Sequence, residues 1–469
     1  MKIVCDSECF QNDMQDLVNF FDPEDDIPFS LHHRDSTLDS TLTSKIEVEN
    51  NGEVKEYVKF FTIPVGLSAL REKSVIKSFF KNHLYQVLSS LTKKVLPWGS
   101  LTGVKPCKFM REMVERGEIK EHIVPEVMMK EYFVNEDKAK LVYEIMKHQK
   151  CIIKNDKLID LFINIPICPT RCNYCSFISN ELCKVADKVE IYLDCLLKEL
   201  KAVKELISEK SYIVRTIYIG GGTPTVLTAK QLDRLLGEIN YPVSEFTVEC
   251  GRADTITREK LEILKRHNVS RISINPQTFC ETTLKRIGRK QTNKQIFEAY
   301  MLAMEYDFIV NMDMIAGLPG EKLGIFKRSI NTLLELAPQN ITVHTLTIKN
   351  GAPLKENKSQ ISERDVPKMV DYAEKILQEN GYKPYYIYRQ KHQIGGLENV
   401  GYFRDGHVCI FNIDSMEDVS SIIGVGAGAI SKRVFNLENR LERQPNCKFI
   451  EDYINRIDEM IDKKIKFFS

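Results

Sequence analysis

"NIPICPTRCNYCSFIS" spans residues 164–179 and sets three cysteines, Cys168, Cys172 and Cys175, within eight positions. Thiolate sulfur is soft and favours zinc, copper(I) or iron-sulfur chemistry. A structural zinc site needs a fourth ligand, usually from a second Cys or His pair at short spacing. Cys183 lies close by in "NELCK", but no second pair follows. A 4Fe-4S cluster on three cysteines instead leaves one iron without a protein ligand, as a catalytic metal keeps a position open.

The apolar run "LFINI" (161–165) immediately before these thiols reads as a strand, and the same pattern recurs: "TIYIG" (216–220), "EFTVE" (245–249), "RISIN" (271–275), "IVNMDMI" (309–315) and "NITVHTL" (340–346). Between the strands fall amphipathic stretches. The clearest carries Val189, Leu193, Leu196, Leu197, Leu200 and Val203 at steps of three and four, which makes one apolar helical face. Shorter helices are expected over 228–239, 257–267, 293–305 and 321–336. Six strand-helix repeats imply parallel strands joined by right-handed crossovers, that is, an α/β fold built as a partial (β/α)6 TIM-like barrel.

Functional groups of such barrels collect at the carboxyl ends of the strands. The first strand runs into the three cysteines, the second into "GGGTPT" (220–225), and the third ends at Glu249. The fourth delivers Asn275 and Gln277, the fifth carries Asp313 and leads to "GLPGE" (317–321), and the sixth bears His344. A helix-rich or antiparallel fold would scatter these features instead of gathering them at one end.

The rest of the chain bounds the answer. With 469 residues, 43% hydrophobic and 28% charged, it has the composition of a folded protein with a substantial core. Its 66 basic and 65 acidic residues nearly cancel, so no polyanionic partner such as nucleic acid is indicated. The amino terminus lacks the basic start and apolar run of a signal peptide, and no apolar run is long enough for membrane insertion. The expected location is the cytoplasm, where most of the thirteen cysteines stay reduced as small buried hydrophobes. Three regions are expected: an N-terminal α+β domain over 1–157, the barrel over 158–350, and a C-terminal α+β region over 351–469 that covers the active site. The first holds an acidic patch at 22–26 and the sole tryptophan, Trp98, read as a packing anchor. The last opens with a loop, "KNGAPLKENKSQ" (349–360), and ends in a charged helix over 448–465.

The spacing C-x3-C-x2-C after a first barrel strand, with an aromatic residue before the third cysteine, resembles the signature of radical S-adenosylmethionine (SAM) enzymes. The longer "IPICPTRCNYCSF", together with "TIYIGGGTPT", "FTVECGRADTIT", "RISINPQTF", "RIGRKQT", "NMDMIAGLPGE" and "ITVHTLTIK", resembles the oxygen-independent coproporphyrinogen III oxidase family. "WGSLTGVKP", "PYYIYRQK", "GGLENVGY" and "IIGVGAGAISK" are similar to its coproporphyrinogen dehydrogenase subgroup. The resemblance runs from about residue 95 onward.

The resemblance implies that Cys168, Cys172 and Cys175 hold a 4Fe-4S cluster. Its open iron would take the amino and carboxylate groups of SAM, which one electron cleaves to methionine and a 5'-deoxyadenosyl radical. It places Gly221, Gly222 and Thr223 beside the amino acid end of SAM, and Glu249, Gln277, Arg289 and Asp313 around its polar atoms. Tyr174 packs near the adenine. The implied substrate is a tetrapyrrole, coproporphyrinogen III, with reduced flavodoxin or ferredoxin as electron donor. Arg389 and Lys391, in an aromatic and basic run, would suit its carboxylates. The Gly424–Gly428 run lacks the spacing of a dinucleotide fingerprint and reads as close packing or substrate-side backbone. His344 reads as a satisfied core residue rather than a catalyst. The better-known oxidase branch has Tyr-x-His-x-Pro-Phe before its first cysteine, where this chain has Phe162, Asn164, Pro166 and Ile167. The readings that compete with oxidation are haem breakdown or tetrapyrrole alkylation by the same radical chemistry, haem delivery, and a structural zinc protein.

Overall fold

The computed structural model describes residues 1–22, 27–103, 105–175, 180–347, 362, 364–390, 393–438 and 440–469. The acidic patch beyond Asp22, the 349–360 loop and Lys391 therefore lie outside the described residues. The chain divides into two compact units. One comprises 1–144 with 389–391 and 395–397, and the other 145–388 with 392–394 and 398–469.

The first unit is built on a four-stranded sheet of β1 (Lys2–Cys5), β2 (Ser30–Leu38), β3 (Thr41–Asn50) and β4 (Glu53–Thr62). Strands β1 and β2 pair in parallel and the others antiparallel. Leu42, Ser44, Ile46 and Val48 alternate inward along β3, and helices over Gln11–Phe21 and Ala69–Thr92 cover that face with Met14, Leu17, Phe80, Leu84 and Leu88. Ser44 sits between two buried imidazoles, His33 at 2.9 Å and His83 at 2.8 Å. Burial pushes both histidines down to about 4. Trp98 is buried in this unit as an anchor, with the Arg389 guanidinium 5.1 Å from its ring centre.

The second unit carries β5 (Leu158–Ile165), β6 (Ile167–Cys168), β7 (Asn180–Glu181), β8 (Ile213–Gly221), β9 (Glu245–Glu249), β10 (Arg271–Ser273), β11 (Ile309–Ala316) and β12 (Asn340–Thr345). Strands β13 (Lys383–Tyr388), β14 (Asn399–Phe403), β15 (Ser421–Val425), β16 (Ile430–Phe435) and β17 (Arg440–Pro445) follow. Apart from the small β6-β7 pair, all belong to one eleven-stranded sheet of order β13-β14-β12-β11-β10-β9-β8-β5-β15-β16-β17. The six parallel strands read from sequence stand side by side in chain order at its centre, which is the partial barrel of a radical SAM fold. Beyond β12 the strands continue the same sheet on both flanks, and β15 adds a seventh parallel strand beside β5.

The crossover helices form where the apolar spacing puts them. Val189, Leu193, Leu196, Leu197, Leu200 and Val203 are all buried on the helix Val189–Glu209. Capping boxes of Thr228 with Gln231 and Thr292 with Gln295 start the helices Ala229–Gly237 and Asn293–Met304 by satisfying amides that have no partner in the first turn. Two differences from sequence have local causes. Strand β10 stops at Ser273 because Pro276 offers no N–H and Gln277 turns to a φ of +67°, so pairing resumes only at the single bridge Gln277–Met314. The last helix is two, Ile450–Asn455 and Ile457–Phe468, broken at Arg456.

Candidate functional site

The three cysteines stand just past the carboxyl end of β5. Cys168 closes the short strand β6, which pairs with β7. A turn follows, in which the Cys175 N–H donates to Cys172 O at 3.1 Å. The turn is fastened to residues 286–288: the Asn173 N–H donates to Ile287 O (3.0 Å), the Asn173 side chain to Arg286 O (2.9 Å), and the Thr170 hydroxyl to Gly288 O (3.2 Å). None of the three cysteines is in a disulfide, and all are partly exposed.

The glycine segment ends β8 alongside. Gly221 pairs with Ile165, the Gly222 N–H donates to Ile165 O at 2.9 Å, and the Thr223 N–H donates to Ile167 O at 2.8 Å. Side chains are excluded here. Gly221 has a φ of +98° and a Cβ on it would lie 1.6 Å from Asn164 Oδ1, while one on Gly222 would lie 2.5 Å from Ile167 O. The Thr223 hydroxyl reaches Cys168 Sγ at 3.7 Å, joining the two segments side chain to side chain. Asn164, whose carbonyl accepts the Tyr192 hydroxyl at 2.6 Å, donates its amide to Ala427 O. The Gly424–Gly428 run is thus close packing behind the glycine segment.

Glu249 lies half-buried at the end of β9 and accepts the Tyr218 hydroxyl at 2.6 Å. Burial pushes its carboxyl up to about 7 and Asp313 adds to the rise, against the pull of Tyr218, His344 and the Gly221 N–H. Asp313, on β11, receives the Asn311 amide at 2.8 Å and faces His344 Nε2 at 3.6 Å. Burial raises its carboxyl, but these partners outweigh it and hold the group below the ordinary carboxylate range. His344 is partnered on its other side by the Tyr388 hydroxyl, 3.3 Å from Nδ1. The histidine read as a core residue therefore belongs to a polar row, Asp313-His344-Tyr388. Gln277 is tied to the same strand, its N–H donating to Asp313 O at 2.9 Å.

Arg289 is buried rather than solvated. Its guanidinium donates to Gly251 O at 3.3 Å and to Asn275 O. Burial disfavours its charge, but Tyr174 and Cys172 more than offset this. Burial likewise keeps the Tyr174 phenol protonated. Sequence reasoning missed Tyr218 and Tyr388, whose hydroxyls reach partners on other strands. The suggestion that Arg389 meets substrate carboxylates is corrected: its guanidinium donates to Leu101 O and to Gly396 O (2.8 Å) and lies over the rings of Trp98 and Phe20, because these distant residues close around it.

The residues present fit a 4Fe-4S cluster with SAM beside it. The donors are three thiols, and Asn275 Oδ1, Gln277 Oε1 and Arg289 Nε are buried without a hydrogen-bond partner, as polar atoms awaiting a ligand would be. Among the described residues no three His, Cys, Asp or Glu side chains converge on one point as ligands of a single metal ion. A cubane does not ask that of its thiolates, since each takes a different iron.

Parallel strands in this order, with three thiols after the first and a bare glycine segment after the second, define a radical SAM protein, and the model of the radical SAM superfamily matches residues 163–333. The protein named oxygen-independent coproporphyrinogen-III oxidase-like protein HemZ, of Bacillus subtilis (strain 168), is 36% identical over 92% of this chain and 89% of its own. This chain belongs to the HemZ family within the radical SAM superfamily, whose cofactors are a 4Fe-4S cluster and SAM. The heme chaperone HemW of the same organism is 36% identical over 40% of this chain and 50% of its own. The solved structure of Escherichia coli coproporphyrinogen III oxidase, HemN, shares the fold with a TM-score of 0.53 and 22% identity, over 67% of this chain and 73% of that one. Among the described residues no helix is long and apolar enough to cross a membrane.

Proposed function

We propose that this protein converts coproporphyrinogen III to protoporphyrinogen IX without oxygen, by oxidative decarboxylation of two propionates to vinyl groups. The observation that carries the reading is the likeness to HemZ across nine-tenths of the chain, well beyond the barrel that all radical SAM proteins share. Cys168, Cys172 and Cys175 hold the cluster, and the segment Gly221, Gly222 and Thr223 lies beside the amino acid end of SAM. Glu249 and Asp313 offer carboxylates to its ammonium and hydroxyls, Gln277 and Arg289 offer an amide and a guanidinium, and Tyr174 packs near the adenine. With the cofactors bound, reduction by flavodoxin or ferredoxin would supply an organic radical able to take a hydrogen atom from the propionate β-carbon; CO2 then leaves and an external one-electron acceptor takes the surplus electron, which leaves the vinyl group. The cysteine turn is tied to 286–288, the glycine segment to β5, and Thr223 joins the two through Ile167 O and Cys168 Sγ.

Anaerobically reconstituted protein given SAM, dithionite and coproporphyrinogen III is expected to release protoporphyrinogen IX and 5'-deoxyadenosine. 5'-Deoxyadenosine without a vinyl product rejects this substrate. A second reading, haem delivery, is favoured by the likeness to a protein named as a heme chaperone. It expects stoichiometric haem binding and transfer with little SAM turnover in the same preparation.

A further inference from the structure

Thr223 is where the glycine segment meets the cysteine turn, and its backbone leaves its side chain little choice. The N–H donates to Ile167 O and the carbonyl accepts the Val226 N–H, each at 2.8 Å, and Pro224 fixes the turn that follows. The residue is 3% exposed, with its hydroxyl 3.7 Å from Cys168 Sγ. Sulfur is the larger atom, so a donor stands further from it than from oxygen. Neighbouring buried hydroxyls go elsewhere: Thr225 meets Thr255 at 2.6 Å and Thr278 meets Glu321 at 2.5 Å. Near the second cysteine lies the Arg289 cation, which feels the charge of Cys172 and is held by two backbone carbonyls.

We propose that Thr223 is a positioning residue of the cluster, its hydroxyl donating to the Cys168 thiolate and so making the cluster easier to reduce, in concert with the Arg289 cation at Cys172. The proposal rests on the reading that the three cysteines are the cluster's ligands. A hydrogen bond to a thiolate is charge-assisted and draws electron density from the sulfur. The reduced cluster carries one more negative charge than the oxidised one, so donors at its sulfurs stabilise the reduced state more and raise the potential. The electron comes from an external one-electron reductant, and no bond of the protein forms or breaks.

The test is an EPR-monitored redox titration, with dithionite and without SAM, of the reconstituted full-length chain as wild type, Thr223→Val and Thr223→Ser, each assayed for iron and sulfide. Valine keeps the shape and removes the donor; serine keeps the donor. The expected result is a more negative midpoint potential for Thr223→Val and an unchanged one for Thr223→Ser. Equal potentials in all three, at equal iron content, overturn the proposal. Loss of iron in the valine variant with retention in the serine variant supports the hydroxyl-sulfur contact, whereas loss in both assigns Thr223 to packing and overturns it. Failure of the ligand reading itself shows differently: the Cys168→Ser protein would then retain the full cluster.

Discussion

The Tyr218 hydroxyl donates to Glu249 Oε1 at 2.6 Å, and across the β5-β8 pairing Tyr218 stands directly opposite Phe162. Phe162 occupies the position where the better-known oxidase branch carries its tyrosine, and a phenol stands beside it on the next strand. Burial holds the Glu249 carboxyl near 7, and the Tyr218 hydrogen bond keeps it from rising further. The SAM ammonium favours the anionic carboxylate, so SAM affinity should increase as pH rises through about 7. Tyr218→Phe removes a hydrogen bond to a charged group, worth about 1.5–3 kcal/mol, and should move that midpoint up by about one to two pH units. Equilibrium dialysis of SAM between pH 6 and 9 measures it, and an unmoved midpoint separates Glu249 from SAM binding.

Cys172→Ser should lose the cluster while Cys447→Ser keeps it. Cys447 lies 275 residues on in sequence, between backbone contacts to Gly428 and Met460, with no role at the site. Iron and acid-labile sulfide per chain after anaerobic reconstitution give the answer. Equal content in both variants contradicts the ligand assignment.

Gly222→Ala and Gly237→Ala should have opposite effects. At Gly222 a methyl would press on Ile165 O, Ile167 O and Ile167 N, all backbone atoms that cannot swing aside. Overpacking of this kind costs about 1–3 kcal/mol, and the strain falls on the segment that carries Cys168, so iron content should fall with stability. At Gly237, the last residue of its helix, a methyl meets nothing within 4 Å. There alanine restricts the unfolded chain and should add up to about 1 kcal/mol. Denaturant unfolding of the two variants beside wild type compares them directly.

The central strands were legible within a few residues because each holds a short cluster of β-branched and other apolar residues, bounded by glycine, proline or charge, with an amphipathic helical stretch between successive clusters. Site positions on their carboxyl ends were legible for the same reason: once the strands are placed, the residue following each is placed too. What lay hidden depends on register between strands. Nothing near Tyr218 in sequence announces that its hydroxyl meets a residue 31 positions on, and His344 looks like core until Asp313 and Tyr388 appear on either side of it. Arg389 misled in the opposite sense. Its local run of tyrosines and bases suggested a ligand face, but Trp98 and Leu101, nearly three hundred residues earlier, take up the side chain.

The unit also carries a proton store away from the site. Asp160 and Asp414 are both fully buried, and only Asp414 has a direct salt bridge, to Arg215 at 3.1 Å, while Asp160 takes the Thr216 hydroxyl at 2.6 Å. Burial raises both carboxyls, Asp160 to about 6 and Asp414 to about 8, and the charge of Asp160 adds to the rise at Asp414. A carboxyl whose folded pKa lies above its unfolded value, about 3.9, binds its proton more tightly in the native state. The stability it contributes is present at low pH and is lost as pH climbs through the folded pKa. Wild-type protein should therefore lose stability between pH 6 and pH 8, by on the order of 2–3 kcal/mol from this pair, most of it from Asp414. Asp414→Asn keeps the volume but has no proton to lose, and it relieves Asp160 of a like charge. Its stability should vary less over the same interval, even if the loss of the Arg215 partner lowers the curve as a whole. Guanidinium unfolding at pH 6, 7 and 8 for the two proteins reads the difference in slope, and parallel curves would show that the pair sheds its protons without regard to folding.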